Sequence, residues 1–200
     1  MWKGEVIAQL EQDWEATKHQ RKTWYNLLHK LRKECRSVLD VGCGVGFDLP
    51  IYHELAYGYH GVDGSVAMIE KARSKSFVSD NFTVLNITKP FLLNLTFDLV
   101  ASHDVLIHVD RWRAALDEMW KVTDKVMLIR LAYSTDKVAL HTCDINRGFL
   151  NIWFNWAAFS HALWELSPPP SSVEVIPVEE EEKSGAAVKH QIFLVRKYVD

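Results

Sequence analysis

Paired cysteines, long apolar runs and an excess of basic charge are all missing from this chain of 200 residues. Its three cysteines, Cys35, Cys43 and Cys143, are odd in number, far apart and never in a Cys-x-x-Cys spacing. They read as the reduced thiols of a cytoplasmic protein, not as a disulfide framework. The most apolar long stretch, 149–166, is broken by Asn151, Asn155, Ser160, His161 and Glu165, so it falls short of a membrane span. Residues 1–20 carry charges where a signal peptide needs an apolar core. With 23 basic against 26 acidic residues the net charge is −3, which leaves no electrostatic footprint for nucleic acid. A composition 48% hydrophobic and 24% charged excludes a disordered or collagen-like chain. A single domain of this length buries roughly 70% of the surface its unfolded form exposes, so it needs no metal or disulfide to hold it.

Aromatic residues, by contrast, are plentiful: eight Trp, nine Phe and six Tyr. Two readings stand side by side, a core built from large rings and an aromatic-lined pocket.

From Arg36 onward, short β-like runs alternate with helical periods, the pattern of an α/β fold with a largely parallel sheet. Strands are expected at 37–42 (SVLDVG), 57–63, 81–87, 97–102 and 125–133. They lack clean polar alternation, as strands covered on both faces do. Between them Trp112, Leu116, Met119 and Trp120 fall at i, i+4, i+7 and i+8 of an amphipathic helix. Trp156, Phe159, Leu163 and Leu166 repeat that period until Ser167-Pro-Pro-Pro stops it. The runs 173–178 and 190–198 flank a charged, glycine-containing turn and predict an antiparallel hairpin, with Glu179–Glu182 as its solvated tip. Residues 1–35 read as a helical N-terminal segment, on the period of Trp24, Leu27, Leu28 and Leu31, ahead of a domain spanning 36–200.

The sharpest feature is Asp40-Val-Gly-Cys-Gly-Val-Gly46, where a buried strand runs into three glycines at alternate positions. Glycine lets the chain turn tightly and lets a ligand approach the backbone with no Cβ in the way. Asp63 ends the second strand 23 residues after Asp40. A carboxylate there suits a ribose, since it can accept from both hydroxyls. The third glycine of a dinucleotide GxGxxG fingerprint would fall on Phe47 or Leu49, and no Gly-Lys-Ser/Thr follows. The loop therefore suits a nucleoside without phosphates.

DVGCGVG (40–46) followed by GVDGS (61–65) resembles motifs I and II of the class I S-adenosylmethionine-dependent methyltransferases, and FDLV (97–100) resembles motif IV. The resemblance covers roughly residues 36–200. It implies a Rossmann-like seven-stranded sheet, mostly parallel with a C-terminal antiparallel hairpin, and helices on both faces. It implies S-adenosylmethionine as cofactor and S-adenosylhomocysteine as product. Gly42, Gly44, Gly46 and Gly64 would line the cofactor, Asp40 would face its amino acid end, Asp63 would take the ribose, and Ser102 would lie beside it. Where the family usually has an acid for the adenine amino group this chain has Asn86, which can still accept that bond or can simply make a turn.

The acceptor would sit just after the fourth strand, at Ser102-His-Asp-Val-Leu-Ile-His108. His103 and His108 are the candidate bases, histidine titrating near neutral pH; either could instead only organise the loop. The spacing of His103, Asp104, His108 and Asp110 matches no metal-ligand pattern. Two segments are candidates to cover the cofactor and shape the pocket. One holds Trp14, Lys18, Arg21, Trp24 and Tyr25; the other holds His141, Asp144, Arg147, Phe149, Trp153 and Phe154. Their rings suggest a planar or lipophilic small-molecule acceptor. A cofactor-binding module without its own catalysis, and a nicotinamide-dependent oxidoreductase, are the two rival readings.

Overall fold

The computed structural model describes residues 4–17, 21–75, 81–91, 95–134, 140–144, 149–178 and 188–198. Two helices lead, α1 (Gly4–Ala16) and α2 (Lys22–Leu31). Then come β1 (Ser37–Val41), α3 (Leu49–Glu54), β2 (Gly58–Asp63), α4 (Val66–Lys75), β3 (Phe82–Val84) and β4 (Phe97–His103). After α5 (Trp112–Lys121), the long strand β5 (Thr123–Ser134) precedes β6 (Leu140–Asp144), β7 (Phe149–Asn155) and α6 (Trp156–Trp164). The strands β8 (Ser172–Pro177) and β9 (Val188–Arg196) close the chain.

The first five strands run parallel in the spatial order β3-β2-β1-β4-β5. β9 adds antiparallel to β5 over its whole length from Val188 to Arg196, and β8 adds antiparallel to β9. All seven expected strands are present, with the closing hairpin where the sequence places it. Two more strands were not expected. β6 and β7 form an antiparallel hairpin whose end, Phe154 and Asn155, pairs in parallel with Tyr133 and Ser134 of β5. The third strand is also shorter than the run 81–87, and stops at Val84.

Each central strand is buried on both faces, and the two-residue period sorts its side chains between two cores. Leu39 and Val41 of β1, Val100 of β4, and Met127, Ile129 and Leu131 of β5 pack with Leu116, Met119 and Trp120 of α5 and Phe159 and Leu163 of α6. On the other face Val38, Leu99, Ala101, Val126 and Leu128 pack with Trp24, Leu27, Leu28 and Leu31 of α2, Tyr52 of α3 and Ile69 of α4. Asp40, His103 and Arg130 continue the second set by the same alternation. The sheet thus delivers three polar side chains to one face, at the carboxyl ends of β1 and β4 and level with them on β5, where open α/β sheets hold ligands. The helix over 156–164 begins on a cap, Asn155 Oδ1 accepting from Ala158 N at 3.0 Å.

Candidate active site

The glycine loop leaves the centre of the sheet, because β1 is paired on both edges. Gly42, Gly44 and Gly46 all take left-handed backbone, with φ of +77°, +56° and +80°. A side chain in that region is strained, which is why glycine stands at all three. At Gly42 an added Cβ would overlap Val105, and at Gly44 it would come within 2.7 Å of the Phe47 ring.

Asp63 fastens this loop. Its Oδ2 accepts from Gly44 N at 3.1 Å and its Oδ1 from Ser65 N at 2.8 Å. Burial raises its pKa, and those two N–H donors act against the rise. Each carboxylate oxygen keeps a second lone pair, so the group can hold the loop and still accept from a diol. Gly64 is exposed beside it, and a Cβ there would meet only Leu85 O at 3.8 Å.

Asp40 lies behind the loop, 5% exposed, where Tyr59 donates its hydroxyl to Oδ2 at 3.0 Å. Burial holds this carboxyl well above the usual range, and Asp48 and Asp63 push in the same direction.

His103 ends β4 on the same face. Its Nδ1 stands 3.0 Å from Asp48 Oδ2, and Asp48 Oδ1 accepts from the Tyr25 hydroxyl at 3.0 Å. Burial lowers the histidine pKa to about 4 against the opposing pull of Asp48. The ring is therefore neutral near pH 7. A carboxylate can only accept, so Nδ1 carries the proton and Nε2 presents a lone pair. Nε2 is buried without a hydrogen-bond partner, with Asp104 Oδ2 3.8 Å away. Asp104, itself at φ +58°, pairs with Arg130. Two indoles flank the imidazole, Trp24 at 4.6 Å and Trp14 at 5.0 Å between ring centres.

The first helix lies across this region. Ile7 packs with Val45 and Met68, with Leu10, Phe47 and Ala67 around them, and Trp14 stacks on Phe47 at 4.7 Å. Glu11 pairs with both Lys71 and Lys75 of α4.

The candidate residues thus divide. Gly42, Gly44, Gly46, Gly64 and Asp63 gather at the loop, with Asp40 beneath it and His103 across it. Ser102 points to the opposite face, fully buried, its Oγ without a partner. Asn86 is exposed, and its Oδ1 accepts from both Thr88 N (3.0 Å) and Thr88 Oγ1 (2.8 Å), which is the turn role. His108 closes a short 3-10 turn, Leu106–His108, and is half-buried. Phe154 belongs to the core, packed edge-on to Trp112 and Phe159. Lys18 and Arg147 lie outside the described residues, as do the side chains of His141, Asp144 and Phe149. Among the described residues no cluster of His, Cys, Asp or Glu is arranged to hold a metal ion, and no helix is long and apolar enough to cross a membrane. Asp48 is the member that sequence reasoning missed. Its signal, an acid just past the third glycine, has meaning only once β1 and β4 are known to be neighbours.

Residues 39–126, from β1 into β5, match the family model described as a methyltransferase domain. No curated protein matches the chain. Among solved structures, DesVI of Streptomyces venezuelae superposes with a TM-score of 0.69 at 14% identity, covering 99% of this chain and 100% of that one. The magnesium protoporphyrin IX methyltransferase of Synechocystis, solved with bound S-adenosylmethionine, gives 0.61 at 17% identity over 90% and 80% of the two chains. An O-methyltransferase from a polyketide synthase multienzyme of Brevibacillus brevis, in complex with S-adenosylhomocysteine, gives 0.66 at 13% identity over 96% and 78%. The fold is that of the class I S-adenosylmethionine-dependent methyltransferases, as the motifs at 40–46, 61–65 and 97–100 imply.

Proposed function

We propose that this protein transfers a methyl group from S-adenosylmethionine to a small-molecule acceptor. The observation that carries the reading is the glycine loop fastened by Asp63: three left-handed glycines turn the chain at the end of β1, and the carboxylate that holds Gly44 N keeps lone pairs for a ribose. A Cβ at Gly42 or Gly44 would run into Val105 or the Phe47 ring, so the loop keeps this shape only with glycine. Two of the solved relatives hold S-adenosylmethionine or S-adenosylhomocysteine.

In this reading Gly42, Gly44, Gly46 and Gly64 line the nucleoside and Asp63 takes its diol. Asp40, beneath the loop, faces the cofactor's amino acid end, whereas Ser102 is buried on the opposite face of the sheet. The bound cofactor supplies a methyl group on a cationic sulfur, which needs alignment and exclusion of water more than it needs activation. α1 and α2 supply the cover: Ile7 over Val45, Trp14 over Phe47 and Trp24 against His103 keep water from the strand ends. His103 is the base. Asp48 fixes its Nδ1–H, so Nε2 can take the proton of an acceptor hydroxyl as its oxygen is methylated, or that of an ammonium before its nitrogen lone pair is free to attack. His108, a turn beyond, shapes the floor.

Incubation with methyl-labelled S-adenosylmethionine and a panel of phenols, amines and carboxylic acids tests this. Label is expected in at least one acceptor, with production of S-adenosylhomocysteine lowered 10²–10⁴-fold in His103→Gln, the usual contribution of a positioned base. Binding of S-adenosylhomocysteine without label transfer to any acceptor or protein would contradict catalysis.

A further inference from the structure

Asp104 follows His103 at the end of β4, with its backbone in the left-handed region at φ +58°, which residues other than glycine seldom enter. Arg130 of β5 holds it there twice. Asp104 N donates to Arg130 O at 2.9 Å, and the guanidinium pairs with Asp104 Oδ2. The arrangement sets two acceptors side by side. His103 Nε2 lies 3.8 Å from Asp104 Oδ2, too far for a hydrogen bond. Among the described residues His103 Nε2 and Asp104 Oδ1 are both buried without a hydrogen-bond partner. Nδ1 of the same ring is already taken by Asp48. The His103 side chain is 5% exposed and that of Asp104 is 24% exposed, so the pair is approached from the Asp104 side.

Left-handed backbone held in place by its neighbours clusters at ligand sites, and a buried acceptor with no donor is costly to keep. Arg130 answers the charge of Asp104, so the pair lacks donors and not a cation. Both unmet groups accept, and they are close enough for one small atom to reach both.

Resting on the methyltransferase reading above, we infer that the methyl acceptor is a primary amine, whose two N–H groups are received by His103 Nε2 and Asp104. A hydroxyl brings one donor and leaves one of the two acceptors bare. A phenolate or carboxylate brings none and sets its charge against that of Asp104. Asp104 is thus the residue that selects nitrogen over oxygen. A neutral amine donating to both groups keeps its lone pair free. That pair forms the bond to the methyl carbon as the carbon–sulfur bond breaks, its electrons staying on sulfur. The surplus proton of the methylammonium product passes to Nε2, beside Asp104 Oδ2, and from there to water.

Nitrogen NMR of protein with isotopically labelled histidine tests the pairing with no cofactor added, His103→Gln identifying the resonance. The probes are methylammonium and tetramethylammonium, equal in charge, of which only the first has N–H groups. Methylammonium is expected to shift the Nε2 resonance in wild type, with its midpoint concentration raised at least tenfold in Asp104→Asn, the loss of a hydrogen bond to a charged group. Tetramethylammonium is expected to leave the resonance in place. Asparagine keeps the size of aspartate and tolerates left-handed backbone. No shift with methylammonium, or equal shifts from both cations or in both proteins, overturns the inference. If Asp104→Asn does not fold, wild type alone carries the test, through transfer of labelled methyl to amines and alcohols of matched carbon skeleton. A preference for the amines of at least about a hundredfold is expected, and equal labelling, or label in alcohols, phenols or carboxylic acids alone, overturns the inference. Absence of label from every acceptor defeats the methyltransferase reading instead, and the NMR titration then still decides whether His103 and Asp104 receive an amine.

Discussion

His103 and Asp48 are 55 residues apart in sequence, yet Nδ1 and Oδ2 stand 3.0 Å apart because β1 and β4 are neighbours. The strand end supplies the imidazole and the glycine loop supplies the carboxylate. Trp14 and Trp24 close over the ring. The pair therefore joins the loop expected to bind the nucleoside to the strand end expected to face the acceptor, and a change in either reaches the other.

The first prediction is a pH dependence. His103 has a folded-state pKa lowered to about 4 from an ordinary 6.5, so between those values the unfolded chain binds the proton more readily. Stability from this group is present above pH 6.5 and is lost as pH falls toward 4. Asp40 and Asp63, both raised by burial, act in the opposite sense. They are present in wild type and variant alike, so a difference measurement isolates the histidine. Denaturant unfolding of wild type and His103→Gln should show the wild-type advantage shrinking by about 3 kcal/mol between pH 7 and pH 4. Parallel curves would show that the imidazole is not held neutral.

A second prediction concerns the loop. Gly42→Ala places a Cβ at φ +77° and against Val105. Left-handed backbone costs about 1–2 kcal/mol and the overlap about 1–3 kcal/mol more. Adding Val105→Ala should recover the overlap and leave the backbone cost, so the double variant is expected to be more stable than Gly42→Ala alone. Additive losses would mean the two side chains do not meet.

The third addresses α1 as a cover. Glu11 ties it to Lys71 and Lys75 of α4, all three partly exposed. Such pairs contribute about 0–1 kcal/mol, so Glu11→Gln should barely change the melting temperature. If α1 opens for ligand exchange, stopped-flow release of S-adenosylhomocysteine should quicken by up to about fivefold at low salt, with the difference fading as salt screens the pairs. Identical release rates would argue that exchange does not need α1 to move.

How much of this was legible in the sequence follows from what is local. The loop at 42–46 and the acid at Asp63 are short-range patterns, and their chemistry reads directly from glycine and carboxylate. β1, β4 and β5 show because burial on both faces makes them largely apolar runs. The hairpin of β6 and β7 was missed. Its second strand merges without punctuation into the helix that Asn155 caps, so 149–166 reads as one apolar stretch. Aromatic residues divided in a way no period could show: Trp120, Phe159 and Phe193 are core, whereas Trp14 and Trp24 flank His103. Asn86 left two roles open, and its bonds to Thr88 are those of a turn. Asp48 and the pairing of Asp104 with Arg130 depend on which strands lie side by side, which residue spacing alone does not encode.

Binding of S-adenosylmethionine by this loop and Asp63 is the step from which the proposed transfer begins. Its most direct test is calorimetric titration with S-adenosylhomocysteine, with NAD as control and Asp63→Ala alongside. Hydrogen bonds to a charged group are worth about 1.5–3 kcal/mol each, so the variant should lose at least tenfold in affinity from a micromolar wild type, and NAD should not bind. A folded wild-type protein that takes up no S-adenosylhomocysteine, or an Asp63→Ala variant that binds it equally well, would contradict the account.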